Sequence, residues 1–175
     1  MEVWIKLLKD AYFETNVGEL NKLITEENCK YLSFLNYNDF EHVTNIDNSD
    51  WNKIQKVSVS EYGKILGYFS ANTNITHERI SGLYLVKFKS KFDSKSEIDV
   101  AKNDLDEFIK SLINNQRFRY IQFSACVDNY ACELYNKWLN KYGGYKHLYP
   151  KSVRLKDGKY YDTYDYVIYC ERWEL

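Results

Sequence analysis

The stretch ACELYNKWLNKYGGY, residues 131–145, decides how this chain is read. Ala131, Leu134, Trp138 and Tyr142 recur at helical spacing, and two glycines follow, with Gly143 at the place of a helix C-cap. Tyr135 stands one step off that apolar stripe. Just before the helix, YIQFSACV (120–127) alternates Ile121, Phe123, Ala125 and Val127, which predicts a strand. Further back, ISGLYLVKFK (80–89) is apolar enough to be a central strand. Between the two strands, Ile98, Ala101, Leu105, Phe108, Ile109 and Leu112 follow a 3.6-residue period. Ser94 and Glu97 form a capping box, so that helix begins near residue 95. A strand at 80–89, a helix at 95–115 and a strand at 119–127 make a parallel, right-handed crossover.

Outward from this unit the pattern stays mixed. In KVSVSEYGKILGYFSAN (56–72) two β-rich runs flank Glu61-Tyr62-Gly63-Lys64, a hairpin signal. The closing SVRLKDGKYYDTYDYVIYCE (152–171) holds Asp157-Gly158, which predicts a type I′ turn between two strands. On the last strand, alternation sends Tyr164, Tyr166 and Ile168 to one face and Val167 and Tyr169 to the other. At the start, residues 2–8 fit either a strand or the beginning of a helix. Val17, Leu20, Leu23 and Ile24 have helical spacing within 17–32, and 33–52 reads as an irregular connection. The expected architecture is one α/β domain spanning 1–175, a mixed sheet of six to seven strands with helices on both faces.

Composition bounds what such a domain does. With 175 residues, 45% of them hydrophobic and 28% charged, the chain is of globular class and long enough for a sizeable core. Its 17 Tyr, 9 Phe and 4 Trp mean that large rings fill that core and many phenols need partners. A formal net charge of -1 supplies no field toward nucleic acid or an anionic membrane. Arg117, Arg119 and Tyr120 are a basic-aromatic group too small to reverse that argument. The opening MEVWIKLLKD is too short and too charged for a signal peptide, and no apolar window approaches a membrane span, so the cytoplasm is expected. Cys29, Cys126, Cys132 and Cys170 occur singly, with no His at metal spacing, and are expected as reduced, buried thiols without a metal. His42 and His147 have no partner at catalytic spacing. His77 and Glu78 precede the strand at 80 and read as solvated loop residues.

The element order resembles the GNAT fold of acetyl-CoA-dependent N-acetyltransferases, well over 55–172 and weakly over 1–54. The most specific similarity lies after the strand at 119–127. That family often shows N-x-x-A-x-x-L-Y-x-K followed by G-F. Here Asp128 stands in the Asn position, Ala131, Leu134, Tyr135 and Lys137 match, and Gly144-Tyr145 follows a helix about one turn longer. The charged hairpin and tyrosine-rich last strand look like small acetyltransferase-like proteins carried by bacteriophages.

The resemblance implies acetyl-CoA as co-substrate, with no metal, and an amine of a small molecule or protein as acceptor. It implies that Tyr135 gives a proton to the leaving thiolate. It also implies that backbone N–H groups near Leu85 and Val86 polarise the thioester carbonyl. Lys87, Ser94, Lys95, Ser96 and Asp128 are the further implied coenzyme contacts. One departure stands against this. The family's Q/R-x-x-G-x-G/A loop, whose glycines let backbone approach the diphosphate, is here KFKSKFDSKSE, without glycine. Asp93, Glu97 and Asp99 suit the helix dipole but repel a diphosphate, while Lys87, Lys89, Lys91 and Lys95 attract it. The missing glycines, the absence of a carboxylate base within 80–89 and the surplus of tyrosines leave a second expectation. It is a catalytically silent GNAT scaffold that binds a host protein or its own copy.

Overall fold

The computed structural model describes residues 53–88, 92–155 and 157–170; the expectations for 1–52, Cys29 and His42 included, lie outside them. The described elements are β1 (Lys53–Val59), β2 (Ile65–Asn74), β3 (Arg79–Lys87), α1 (Lys95–Ile113), β4 (Tyr120–Cys126), α2 (Ala131–Tyr142), β5 (Gly144–Arg154) and β6 (Tyr160–Tyr169). The six strands form one mixed sheet in the order β1-β2-β3-β4-β6-β5. The chain divides into two compact units. One holds the described residues of 53–70, 84–88 and 92–109, and the other those of 71–83 and 110–170.

The first unit is a hairpin with a helix. Ser60 and Lys64 close a three-residue loop, with Ser60 N–H donating to the Lys64 carbonyl at 2.8 Å and Gly63 at φ 80°. A positive φ at the third loop residue is what a three-residue hairpin requires, and glycine adopts it without a Cβ penalty. Ala101, Leu105 and Phe108 bury the inner stripe of α1, and the Phe108 ring lies 6.0 Å from Phe69 of β2. One polar group interrupts that stripe. Asp104 is buried and accepts a hydrogen bond from Ser58 Oγ of β1 at 2.6 Å. Because Ser58→Ala removes a buried hydrogen bond to a carboxylate, it is expected to cost about 1.5–3 kcal/mol. A urea melt with an unchanged slope and a lower midpoint checks this.

The second unit holds the parallel strand pair. β3 and β4 pair in parallel as expected, through Arg79–Tyr120, Ile80–Ile121 and Ser81–Gln122. At the next residue, Gly82, φ is 62°. A left-handed residue inside a strand breaks the alternation, and Ile80, Leu83 and Val86 are buried at a spacing of three instead of two. β4 then pairs antiparallel with β6 along its whole length, from Tyr120–Tyr169 to Cys126–Thr163. β5 pairs with β6 on the outside, and the register shifts between Tyr149 and Val153, where Lys151 sits at φ 47°.

The sheet corrects one sequence expectation. The Asp157-Gly158 turn is not type I′, which needs positive φ at both central residues. Of the two, Gly158 alone has it, and Leu155 and Lys159 close a three-residue loop like that of the first hairpin. The two glycines after α2 have separate duties. Gly143, at φ 79°, caps the helix and its N–H donates to the Leu139 carbonyl at 2.9 Å. Gly144, at φ 129°, starts β5 so close to β6 that a Cβ would lie 2.0 Å from the Val167 carbonyl oxygen.

Candidate active site

Tyr135 belongs to the second unit and lies in an aromatic cluster. Alternation puts Phe123 of β4 and Tyr166 of β6 side by side, since they are register partners, and their rings stack at 5.3 Å. The α2 helix lies on this face. Tyr135 meets Phe123 edge-on at 4.8 Å and Tyr166 edge-on at 5.5 Å, and one helical turn away Trp138 lies 5.4 Å off. Tyr135 is 7% exposed. Burial, with Cys132 and Tyr130 adding repulsion, pushes its pKa well above the ordinary phenol value. The phenol is therefore fully protonated through the neutral range.

Tyr166, a residue that sequence reasoning assigned only to a strand face, is the unexpected member of this cluster. It is 0% exposed and its hydroxyl has no hydrogen-bond partner among the described residues. The Cys132 thiol lies beside it but donates to the Cys126 carbonyl at 3.2 Å. A buried hydroxyl without a partner costs about 1–3 kcal/mol. Tyr166→Phe keeps the ring and deletes that cost, so its melting temperature is expected to equal or exceed that of the wild type. The alternation of YIQFSAC against YDTYDYVIY was the signal that could have found the pair.

Asp128 is exposed in the turn after β4, and the Asn129 Oδ1 accepts the Ala131 N–H at 2.9 Å. The expected loop residues at the β2–β3 turn have local partners. His77 bonds Asn74 Oδ1 through its backbone and lies within 3.0 Å of it through its ring, and Glu78 pairs with Arg119.

The implied coenzyme contacts Leu85, Val86, Lys87, Ser94, Lys95 and Ser96 lie in the first unit. The Val86 carbonyl faces Gly67 of β2, and Phe88 N–H donates to the Leu66 carbonyl. Backbone groups alternate along a strand, so the Leu85 N–H lies on the opposite edge of β3. At the start of α1 the capping box forms, with Ser94 Oγ accepting the Glu97 N–H at 3.2 Å. The Glu97 carboxylate accepts the Asp93 N–H at 2.5 Å, one residue earlier than a standard box. Lys64 of the first hairpin bonds Asp93 at 2.5 Å and Glu97 at 3.2 Å. These bonds, that to Asp93 foremost, raise its pKa. Lys95 and Ser96 are exposed, and 89–91 lie outside the described residues.

Within the second unit, the buried and protonated Tyr135 phenol can give a proton to a leaving thiolate. The described start of α1, carrying two carboxylates and the lysine they hold, does not suit a diphosphate. Among the described residues no group of three His, Cys, Asp or Glu side chains converges as a metal site, and no helix is long and apolar enough to cross a membrane.

The chain matches no protein-family model and no curated protein. Solved structures do match. A spermidine N-acetyltransferase from Vibrio cholerae, in complex with CoA and spermine, superposes with a TM-score of 0.68 at 13% identity, covering 89% of this chain and 90% of that one. This chain shares its fold with that enzyme. The same bacterium's spermidine/spermine N-acetyltransferase in complex with manganese ions gives 0.57 at 14% identity, covering 77% of this chain and 75% of that one. A candidate acetyltransferase from T. thermophilus gives 0.55 at 17%, over 93% and 83%. The expected GNAT architecture is thus the observed one, with a sheet of six described strands.

The described thiols, Cys126, Cys132 and Cys170, are free and buried. Burial pushes Cys170 up to about 11 from 9.0 and raises Cys126 and Cys132 from the same value. It also raises Tyr68, Tyr135 and Tyr166 above 10.0. In each case the folded pKa exceeds the unfolded one, so the unfolded chain loses its proton first as pH rises. Stability is therefore expected to be flat up to about pH 9 and to fall above it, first from the thiols and then from the phenols. Melting temperatures from pH 7 to 11 check this, and a midpoint that rises above pH 9 contradicts it.

Proposed function

We propose that this chain is an N-acyltransferase that moves an acetyl group from a thioester donor to an amine of a small molecule or a protein. The observation that carries the reading is the A-x-x-L-Y register. Tyr135 falls in the helix that follows a strand parallel to β3, in a chain whose fold matches an N-acetyltransferase over about nine-tenths of both lengths. The donor brings the acyl group already activated as a thioester, as coenzyme A does in the family this chain resembles. Tyr135 holds a proton at its phenol oxygen for the sulfur that leaves. The family resemblance gives a strand N–H near Leu85 the part of polarising the carbonyl, and within its own unit the Leu85 N–H points away from β2. Polyamines are acceptor candidates, because the V. cholerae structure holds spermine. No carboxylate base lies on β3, so water carries the amine's proton away.

A second reading, the silent scaffold binding a host protein or its own copy, is favoured by one observation. A phenol whose pKa is raised by burial is a weaker acid than a free one, and it gives its proton to a thiolate only uphill. The exposed rings of Tyr145, Tyr149, Tyr160 and Tyr169 supply that reading with a surface.

Differential scanning fluorimetry with millimolar acetyl-CoA separates the two. At about 100 times the dissociation constant a ligand specific to the native state adds roughly 2.7 kcal/mol. The acyltransferase reading expects a higher melting temperature with the donor, and the scaffold reading expects none.

A further inference from the structure

We propose that the donor is recognised through its acyl-pantetheine arm alone, and that the nucleotide diphosphate of coenzyme A contributes little to binding. This deepens the acyltransferase reading and rests on it. The start of α1 is occupied by the protein's own charges. Glu97 lies over the first turn, takes the Asp93 N–H at 2.5 Å, and receives two contacts from Lys64 Nζ at 3.2 and 3.3 Å. Asp93 binds the same ammonium at 2.5 Å. The helix dipole is thereby met by carboxylate, and the nearby cation is already neutralised. The Glu97 side chain is held by three bonds at 16% exposure, so it is a built part of the helix start and not a freely moving group. The Glu97 N–H is turned inward to Ser94 Oγ. A diphosphate arriving here meets two carboxylates and the Lys64 they already hold, with the exposed Lys95 at the first helical position beside them, and every position of the loop carries a Cβ.

An acyl-pantetheine arm comes from two sources, free coenzyme A or the phosphopantetheine arm of a carrier protein. The chemistry read by the site is the same thioester and amide chain.

Isothermal titration of the whole protein with acetyl-CoA, S-acetylpantetheine and an acetyl-loaded acyl carrier protein tests the proposal. Acetyl-CoA and S-acetylpantetheine are expected to bind within about threefold of each other, whereas a site reading a diphosphate through charge-assisted bonds favours the coenzyme by about 100-fold. Tighter binding of the loaded carrier assigns the arm to a carrier, and weaker binding assigns it to the free thioester. Removing the carboxylates in Asp93→Asn/Glu97→Gln is expected to strengthen acetyl-CoA by about tenfold and leave S-acetylpantetheine unchanged. Asp93→Asn alone, at a side chain 82% exposed, gives the same sign if the double variant melts too low to titrate. A 100-fold preference for acetyl-CoA in the wild type, or carboxylate removal that fails to favour it, overturns this inference and leaves the acyltransferase intact. Binding of none of the three donors overturns both.

Discussion

Tyr135→Phe is expected to lower acyl transfer by ~10²–10⁴-fold, the usual share of a positioned general acid, while the fold melts within a few degrees of wild type. The asymmetry follows from the cluster. Phenylalanine keeps the contacts to Phe123, Trp138 and Tyr166, and the Tyr135 hydroxyl makes no hydrogen bond to another described residue. What disappears is one acidic proton. The loss should fall on kcat, because the phenol acts as the C–S bond breaks and adds nothing to ground-state binding. Burial raises the pKa, so the acid form persists and no falling limb from this phenol appears below about pH 10. A Tyr135→Phe variant with full kcat removes the residue from the mechanism without removing the acyltransferase.

Gly144→Ala is expected to lose at least about 3 kcal/mol, a large share of the roughly 5–15 kcal/mol that holds a domain together. The new Cβ would sit 2.0 Å from the Val167 carbonyl oxygen, and both atoms belong to paired backbone that cannot swing aside. The residue also carries φ 129°, where L side chains are strained. Gly143→Ala separates the two causes. It meets φ 79° and ψ 167°, a region essentially reserved for glycine, but has no heavy atom within 4 Å of the added carbon, so its cost is strain alone, about 1–3 kcal/mol. For a chain of this size the two variants should differ by several degrees in melting temperature. Equal melts would mean that the β5–β6 contact yields easily.

Much of this architecture was legible because its periods are strong. The six apolar positions from Ile98 to Leu112 fixed α1 to within a residue at its start, since Ser94 and Glu97 cap it locally. The alternation in YIQFSAC and YDTYDYVIY fixed both strands and the faces of Tyr166 and Tyr169. Turn chemistry was harder. Asp157-Gly158 suits type I′, but the three-residue loop is chosen by the register of the flanking strands, which no dipeptide encodes. Only the end of β5 was read, as the strand before Asp157-Gly158; its start at Gly144 was hidden because an exposed edge strand needs no apolar alternation, and of its residues only Val153 is buried. Gly82 was read as ordinary strand, and its left-handed backbone appears only where the ladder to β4 stops.

The site was legible as a motif and not as an environment. Spacing put Tyr135 in α2, but its deep burial depends on Phe123, 12 residues earlier, and Tyr166, 31 later. The Lys64 bridge to Asp93 and Glu97 joins a hairpin turn to a helix 29 and 33 residues away. Local pattern carries no information about such pairs. The acidic helix start itself was visible, and the structure adds that its charge is already spent inside the chain.

The most direct test of the central claim is thiol release from an acetyl thioester, followed with a thiol-reactive dye, in the presence and absence of an amine panel that includes spermidine and lysine peptides. The acyltransferase account expects release that depends on both the amine and Tyr135, with acetylated amine found by mass spectrometry in equal amount. Release no faster than that of the thioester in buffer, for every amine and with both acetyl-CoA and S-acetylpantetheine, would contradict it and leave a GNAT fold whose Tyr135 only packs.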